Sequence, residues 1–421
     1  MADLSLKNFK EILNLLFLTD NFPPEVNAPA SRTYEHTREW VKLGEDVTII
    51  TCTPNFPKGK IFPGYKNKLW QTEVIDGIKV IRVWSYISAN EGFFKRTLDY
   101  ASFMISAVIA SFFVKKVDIV IGTSPQFFTV CAAYLVGLFK RKPWVFELRD
   151  IWPESIKTVG AVQDSRVINF LQKIEIFLYR KANAIICVTN SYKKYLIDKG
   201  IDPNKISVIT NGVDSSRFAP KAKSENLINQ LNLKDCFVLG YIGTHGLAHH
   251  LETIIDSAEK IETAYPDLKI KFIFLGDGAS KKQLQVYALD KGISNVIFVD
   301  TVSKDEVVDF WSILDFSITH LKNASLFKSV IPSKIFESMA MGVPILHGVQ
   351  GESANIIESE DVGVCFVSED SEDLTSKILM LVDDKQIISE KKMNCISAAK
   401  KYDRSNLAKN FLPIFKSLVH T

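Results

Sequence analysis

Two successive series of strand-like runs constrain this chain more than any other feature. The first reads ILNLLFLT (12–19), VTIIT (47–51), IKVIRV (78–83), VDIVIGTS (117–124), PWVFEL (143–148), AIICVT (184–189) and ISVIT (206–210). These runs are continuous and rich in β-branched residues, which suits strands covered on both faces of a parallel sheet. Helix-length segments separate them, such as SRTYEHTREWVKLG (31–44), which closes on a glycine. A second series follows residue 234: CFVLGYIG (236–243), IKFIFLGDG (270–278), NVIFVD (295–300), DFSITH (315–320), PILHG (344–348) and VGVCFV (362–367). Strand–helix alternation predicts a doubly wound α/β fold, and its repetition predicts two such domains, 1–208 and 209–402. The polar stretch TNGVDSSRFAPKAKSE (210–225) joins them. Ligands of such folds bind beyond the carboxyl ends of the strands, so the expected site is a cleft between the domains.

The length of 421 residues suffices for two full cores. With 51 basic against 48 acidic residues the charge is too balanced to call for nucleic acid as a partner. Six cysteines, at 52, 131, 187, 236, 365 and 395, show no CxxC or Cys/His spacing. They read as free thiols of a reducing cytoplasm, with no zinc. The start, MADLSLKNFKEILNLLFLTD, lacks the pattern of a cleaved leader. YASFMISAVIASFFV (100–114) carries no charge and is flanked by Lys95, Arg96, Lys115 and Lys116. It is shorter than the roughly 20 residues that cross a bilayer, which leaves a buried helix or one resting on a membrane surface.

Chemistry concentrates in a few turns. No GxGxxG follows the first strand, which excludes the nicotinamide fingerprint. In FLGDGASKKQL, Gly276, Asp277 and Gly278 stand at a strand-to-helix turn where glycine permits close backbone approach to a ligand. In GYIGTHGLAHHLE, Gly243, Thr244 and His245 end a strand, with the imidazole as a candidate donor to phosphate. VFELRDIWPES brings Glu147, Arg149, Asp150 and Glu154 to a strand end, where burial of charge demands pairing or use. IPSKIFESMAMGVPIL places Pro332 at a helix start and Lys334 beside free N–H groups, with Glu337 one turn on. Such a carboxylate accepts two hydrogen bonds from a ribose diol. No two aspartates are separated by one residue, so a metal-holding DxD is absent.

TNGVDSSRF, FLGDG and SKIFESMAMGVPIL resemble the signatures of retaining glycosyltransferases of family four, and the likeness runs over nearly the whole chain. NFPPEVNAPASRTYEH, FELRDIWPESI, GYIGTHGLAHHLE and IPSKIFESMAMG resemble most a WbuB-like bacterial subgroup. That subgroup transfers N-acetyl-L-fucosamine in O-antigen or capsule assembly. The resemblance implies a GT-B fold of two Rossmann-like domains, the first binding acceptor and the second donor, with the tail 403–421 returning to the first. It implies a UDP-sugar donor, a lipid-linked polyprenyl-diphosphate acceptor, a peripheral place on the inner face of the cytoplasmic membrane, and no cofactor. It makes Glu337 the second glutamate of E-x7-E, holding the ribose, and puts Ser333 and Lys334 on the diphosphate. Asp150 and Arg149 fall near the donor sugar, with Glu147 as a further catalytic candidate. The first-domain loop of Pro24, Asn27 and Ala28 falls where relatives have a Gly-Gly turn.

Three departures accompany the likeness. Ser329 occupies the place of the first glutamate; Asn27-Ala28 replaces the glycine pair; GTHGLAHH lacks the usual Arg and Lys. The last of these leaves His245 and Lys334 to carry the phosphate charge. Two other classes stay open, a UDP-sugar 2-epimerase with the same two-domain plan and a non-catalytic nucleotide-sugar binding protein.

Overall fold

The computed structural model describes residues 12–56, 58–88, 93–151, 165–303 and 305–420. Its chain divides into two compact units, Met1–Ile209 with Leu407–Thr421, and Thr210–Asn406. Each is a sheet of mostly or wholly parallel strands with helices on both faces.

The first unit holds strands β1 (Asn14–Leu18), β2 (Asp46–Cys52), β3 (Trp70–Ile75), β4 (Ile78–Val83), β5 (Ile119–Thr123), β6 (Trp144–Leu148), β7 (Ala184–Cys187) and β8 (Ile206–Val208). Their order is β3-β4-β2-β1-β5-β6-β7-β8, and only the β3–β4 pair is antiparallel. The chain therefore turns back between β1 and β5, the switch point where a ligand crevice opens. Helix α1 (Ala28–Lys42) follows β1, α2 (Phe93–Ser111) precedes β5, and α3 (Phe127–Lys140) follows it. The two sheet faces bury separate clusters, one against α2 and α3 and one against α1 and the helix Phe411–Val419. Trp40 of α1 is fully buried between Phe411 and Phe415, and its indole N–H donates to the Ala408 carbonyl at 2.9 Å.

In the second unit β9 (Phe237–Ile242), β10 (Ile270–Leu275), β11 (Val296–Val299), β12 (Phe316–His320), β13 (Ile345–Gly348) and β14 (Gly363–Cys365) run in the order β11-β10-β9-β12-β13-β14, all parallel. Here the switch point lies between β9 and β12. Helix α4 (Lys281–Asp290) follows β10, and α5 (Lys334–Met341) follows β12. Gly342, in the left-handed region at φ 68°, ends α5 by accepting the backbone turn that Pro344 then prevents from continuing. A parallel sheet puts all its carboxyl ends on one edge, so the turns after β9, β10 and β12 share that edge.

Candidate active site

Second-unit turns are locked to one another through backbone. Gly243 N–H donates to Leu275 O at 2.9 Å, His245 N–H to Asp277 O at 2.9 Å, and Ser280 N–H to His245 O at 2.9 Å. A Cβ on Gly276 (φ 144°) would lie 1.9 Å from Gly243 O, and one on Gly278 would lie 2.4 Å from His245 O. Only glycine permits this crossing. Tyr241 Oη donates to Thr244 O at 2.8 Å and Gly278 N–H to Asp277 Oδ1 at 2.8 Å. Lys281 lends no free charge, because its amino group bonds Gly276 O, Val299 O and Asp300 Oδ1 at 2.8, 3.1 and 2.6 Å.

His245 corrects one expectation. Its side chain is fully buried beside Tyr241, Phe274 and Phe298, and neither ring nitrogen has a partner among the described residues. Burial, and after it the charge of Lys281, lowers its pKa to about 4. The imidazole is neutral at pH 7 and carries none of the phosphate charge expected of it. It fills the space beneath the crossed turns instead.

At α5, Ser333 is the N-cap without a side-chain cap bond. The N–H groups of Ser333 and Lys334 find no acceptor among the described residues, while those of Ile335 and Phe336 bond Pro332 O and Ser333 O. Lys334 Nζ and Glu337 Oε2 pair at 2.9 Å across one turn, with the lysine 37% and the glutamate 16% exposed. The helix thus begins with open donors, a cation and a half-sunk carboxylate. Ser329 ends a short turn and gives its hydroxyl to Leu326 O at 2.7 Å.

First-unit candidates fare unevenly. Glu147, on β6, is 2% exposed and pairs at 3.0 Å with Arg32 of α1, which is 1% exposed and also donates to Ile209 O. A carboxylate sunk in an ion pair is a fastening of α1 to the sheet, so its expected catalytic part is withdrawn. Arg149 and Asp150 follow β6 and stay half-buried at the carboxyl edge. Their N–H groups donate to Ser124 Oγ at 2.8 and 3.2 Å, which pins this turn to the one after β5. Glu154 lies outside the described residues. Pro24 and Ala28 are exposed, and Asn27 is the N-cap of α1, accepting from Ala30 N–H at 2.9 Å. Capping starts α1 earlier than its apolar pattern suggests.

One group escaped sequence reading. Asp20 stands just past β1, and burial, followed by the charges of Glu25 and Asp99, lifts its pKa to about 8. An aspartate directly after the first strand, at the switch point, was the available signal.

Comparison with known proteins now bears on this geometry. Residues 30–217 match the model described as Glycosyltransferase Family 4, and residues 223–402 that described as Glycosyl transferases group 1. The chain is a family-four glycosyltransferase with the GT-B fold. WcaI of Escherichia coli K12, named as a colanic acid biosynthesis glycosyl transferase, is 22% identical over 95% of this chain and 99% of its own. A UDP-Gal:alpha-D-GlcNAc-diphosphoundecaprenol alpha-1,3-galactosyltransferase of Escherichia coli is 25% identical over 53% of this chain and 57% of its own. Anabaena HepE, solved with UDP-glucose, superposes at a TM-score of 0.71 with 15% identity, covering 96% of this glycosyltransferase and all of its own chain.

Proposed function

We propose that this glycosyltransferase moves a sugar from a UDP-sugar to a lipid-linked polyprenyl-diphosphate saccharide in polysaccharide assembly, with retention at the anomeric carbon. The start of α5 carries the reading: open N–H groups of Ser333 and Lys334, the Lys334 cation and the Glu337 carboxylate occur within one turn. The N–H groups and Lys334 stabilise the departing diphosphate, and Glu337 holds the ribose diol. Gly243, Thr244, Gly276, Asp277 and Gly278 form the backbone cradle at the same sheet edge. Arg149 and Asp150 serve the sugar and the acceptor's proton, with Pro24, Asn27 and Ala28 at the neighbouring first-unit turn. WcaI and the diphosphoundecaprenol galactosyltransferase support the polysaccharide and lipid-acceptor parts by their names, and HepE supports the UDP-sugar. For the donor, N-acetyl-L-fucosamine or a related N-acetylamino sugar rests on the four WbuB-like segments.

The protein acts at the inner face of the cytoplasmic membrane in this reading. Ile105 and Ile109 on α2 and Phe112 just past its end are 56–59% exposed, and the ring of Phe139 at the end of α3 lies tilted against Phe112 at 5.8 Å. Exposed Lys115 and Lys116 follow Phe112 closely in sequence, and exposed Arg141 and Lys142 follow Phe139. Apolar surface with a basic rim suits anionic lipid. No described helix is long and apolar enough to cross a membrane.

Radiolabelled UDP-sugars incubated with lipid-linked saccharide separate the readings. Labelled lipid supports transfer; an isomerised donor would mean an epimerase; neither would mean a binding protein.

A further inference from the structure

Past the carboxyl ends of β1 and β2 the first unit holds a cavity of about 40 Å³ that none of these roles uses. Its lining includes Asp20, Phe56, Ser88, Asp99, Tyr100 and Gln126. Gln126 Nε2 and Asn21 Nδ2 each donate to Asp20 at 3.3 Å, both long bonds. Arg96 also borders the cavity, but its guanidinium turns onto the Tyr100 hydroxyl and ring. Two carboxyls therefore meet in a small polar space, and neither is ion-paired among the described residues. Ser88 Oγ, on the same lining, is buried and has no partner among the described residues. A buried hydroxyl left unbonded is costly, and a ligand atom would relieve that cost.

The space is sized for a hydroxyl or hydroxymethyl group and not for a whole sugar ring. The Asp99 carboxylate repels phosphate, so the lipid diphosphate does not enter. Carboxyl, amide and hydroxyl groups beside the Phe56 and Tyr100 rings suit the polar edge and apolar face of a saccharide.

We propose that this cavity grips one hydroxyl-bearing edge of the acceptor saccharide, with Asp20, Asp99 and Gln126 as the recognising side chains. The inference rests on the transferase reading and names the acceptor subsite within it. Burial lifts Asp20 to about 8 and Asp99 to about 6. Glu25, Cys52, Asp99 and Tyr100 face Asp20, and the charge of Arg82 acts on Glu25 and Cys52 beside it. At pH 7 Asp20 is mostly protonated and both donates and accepts. Above pH 8 a ligand must cover an ionised carboxylate, and affinity falls.

The test uses the full chain and polyprenyl-diphosphate-linked glucose, galactose and N-acetylglucosamine in detergent micelles, read by tryptophan fluorescence without donor. Asp20→Ala is expected to weaken the best-bound probe about tenfold, with UDP affinity unchanged. Asp20→Asn, which resembles the neutral acid, should lose under about threefold at pH 7 and should flatten the fall above pH 8. Unchanged probe affinity and pH response in Asp20→Ala and Asp99→Ala overturn the subsite, as does failure of the wild type to bind any probe. Because binding needs no turnover, a wild type that binds but transfers nothing sinks the transferase reading alone.

Discussion

Glu337 and Ser329 stand eight positions apart on one motif and are expected to differ sharply under substitution. In the proposed role Glu337 accepts two charge-assisted hydrogen bonds from the ribose, so Glu337→Ala should cut transfer by on the order of 100-fold. Ser329 spends its hydroxyl on Leu326 O, so Ser329→Ala should change kcat/KM less than about threefold; a large loss would place a sugar contact there. Gly278→Ala drives a methyl group into the His245 backbone and should abolish UDP binding in calorimetry. The motif around Glu337 was legible because helix-start chemistry is local: a cation, a carboxylate and free N–H groups within one turn. Glu147 was misread for the opposite reason. Its partner Arg32 lies 115 residues away in sequence, and no spacing rule links them. Glu147→Gln should destabilise the first unit by about 3 kcal/mol, because Arg32 keeps its buried charge. Urea unfolding checks this separately from activity.

Helices and strands were legible wherever their pattern was continuous. The runs at β1, β2, β4 and β5 read as buried strands because both faces are covered. Strand β3 did not, since WQTEVI alternates half-buried and exposed residues along an edge. Its antiparallel pairing with β4 depends on a turn at Asp76-Gly77, both at positive φ. The segment 100–114 could not be assigned from sequence because α2 has two apolar faces: Phe103, Ala107 and Ala110 sit in the core, while Ile105 and Ile109, with Phe112 just past the helix end, are exposed. Composition records both faces as one run. Replacing Ile109 and Phe112 by Ser removes exposed apolar area only, so folding should survive while flotation with anionic vesicles drops several-fold. Unchanged flotation, there and on replacing Lys115 and Lys116, would remove the membrane face from the account.

Across the whole molecule the two units should respond to pH in opposite directions. In the second, burial holds His245 and His320 at about 4 and His347 at about 3, against an ordinary 6.5. Bases depressed in the folded state contribute stability above pH 6.5 that is lost as pH falls toward 4. In the first, Asp20 at about 8, against 3.8, contributes stability at low pH that is lost as pH rises through 8. Calorimetry from pH 4 to 9 should show the second unit's transition falling by several degrees on the acid side. Asp20→Asn should raise the first unit's transition at pH 8.5 and change it little at pH 4. The most direct test of glycosyl transfer is the passage of radiolabel from UDP-sugar into polyprenyl-diphosphate saccharide by the wild type and Glu337→Ala side by side. Label in the lipid fraction with the wild type and on the order of 100-fold less with Glu337→Ala is the predicted result. An unlabelled lipid fraction beside an isomerised donor pool, or equal labelling by both proteins, would contradict it.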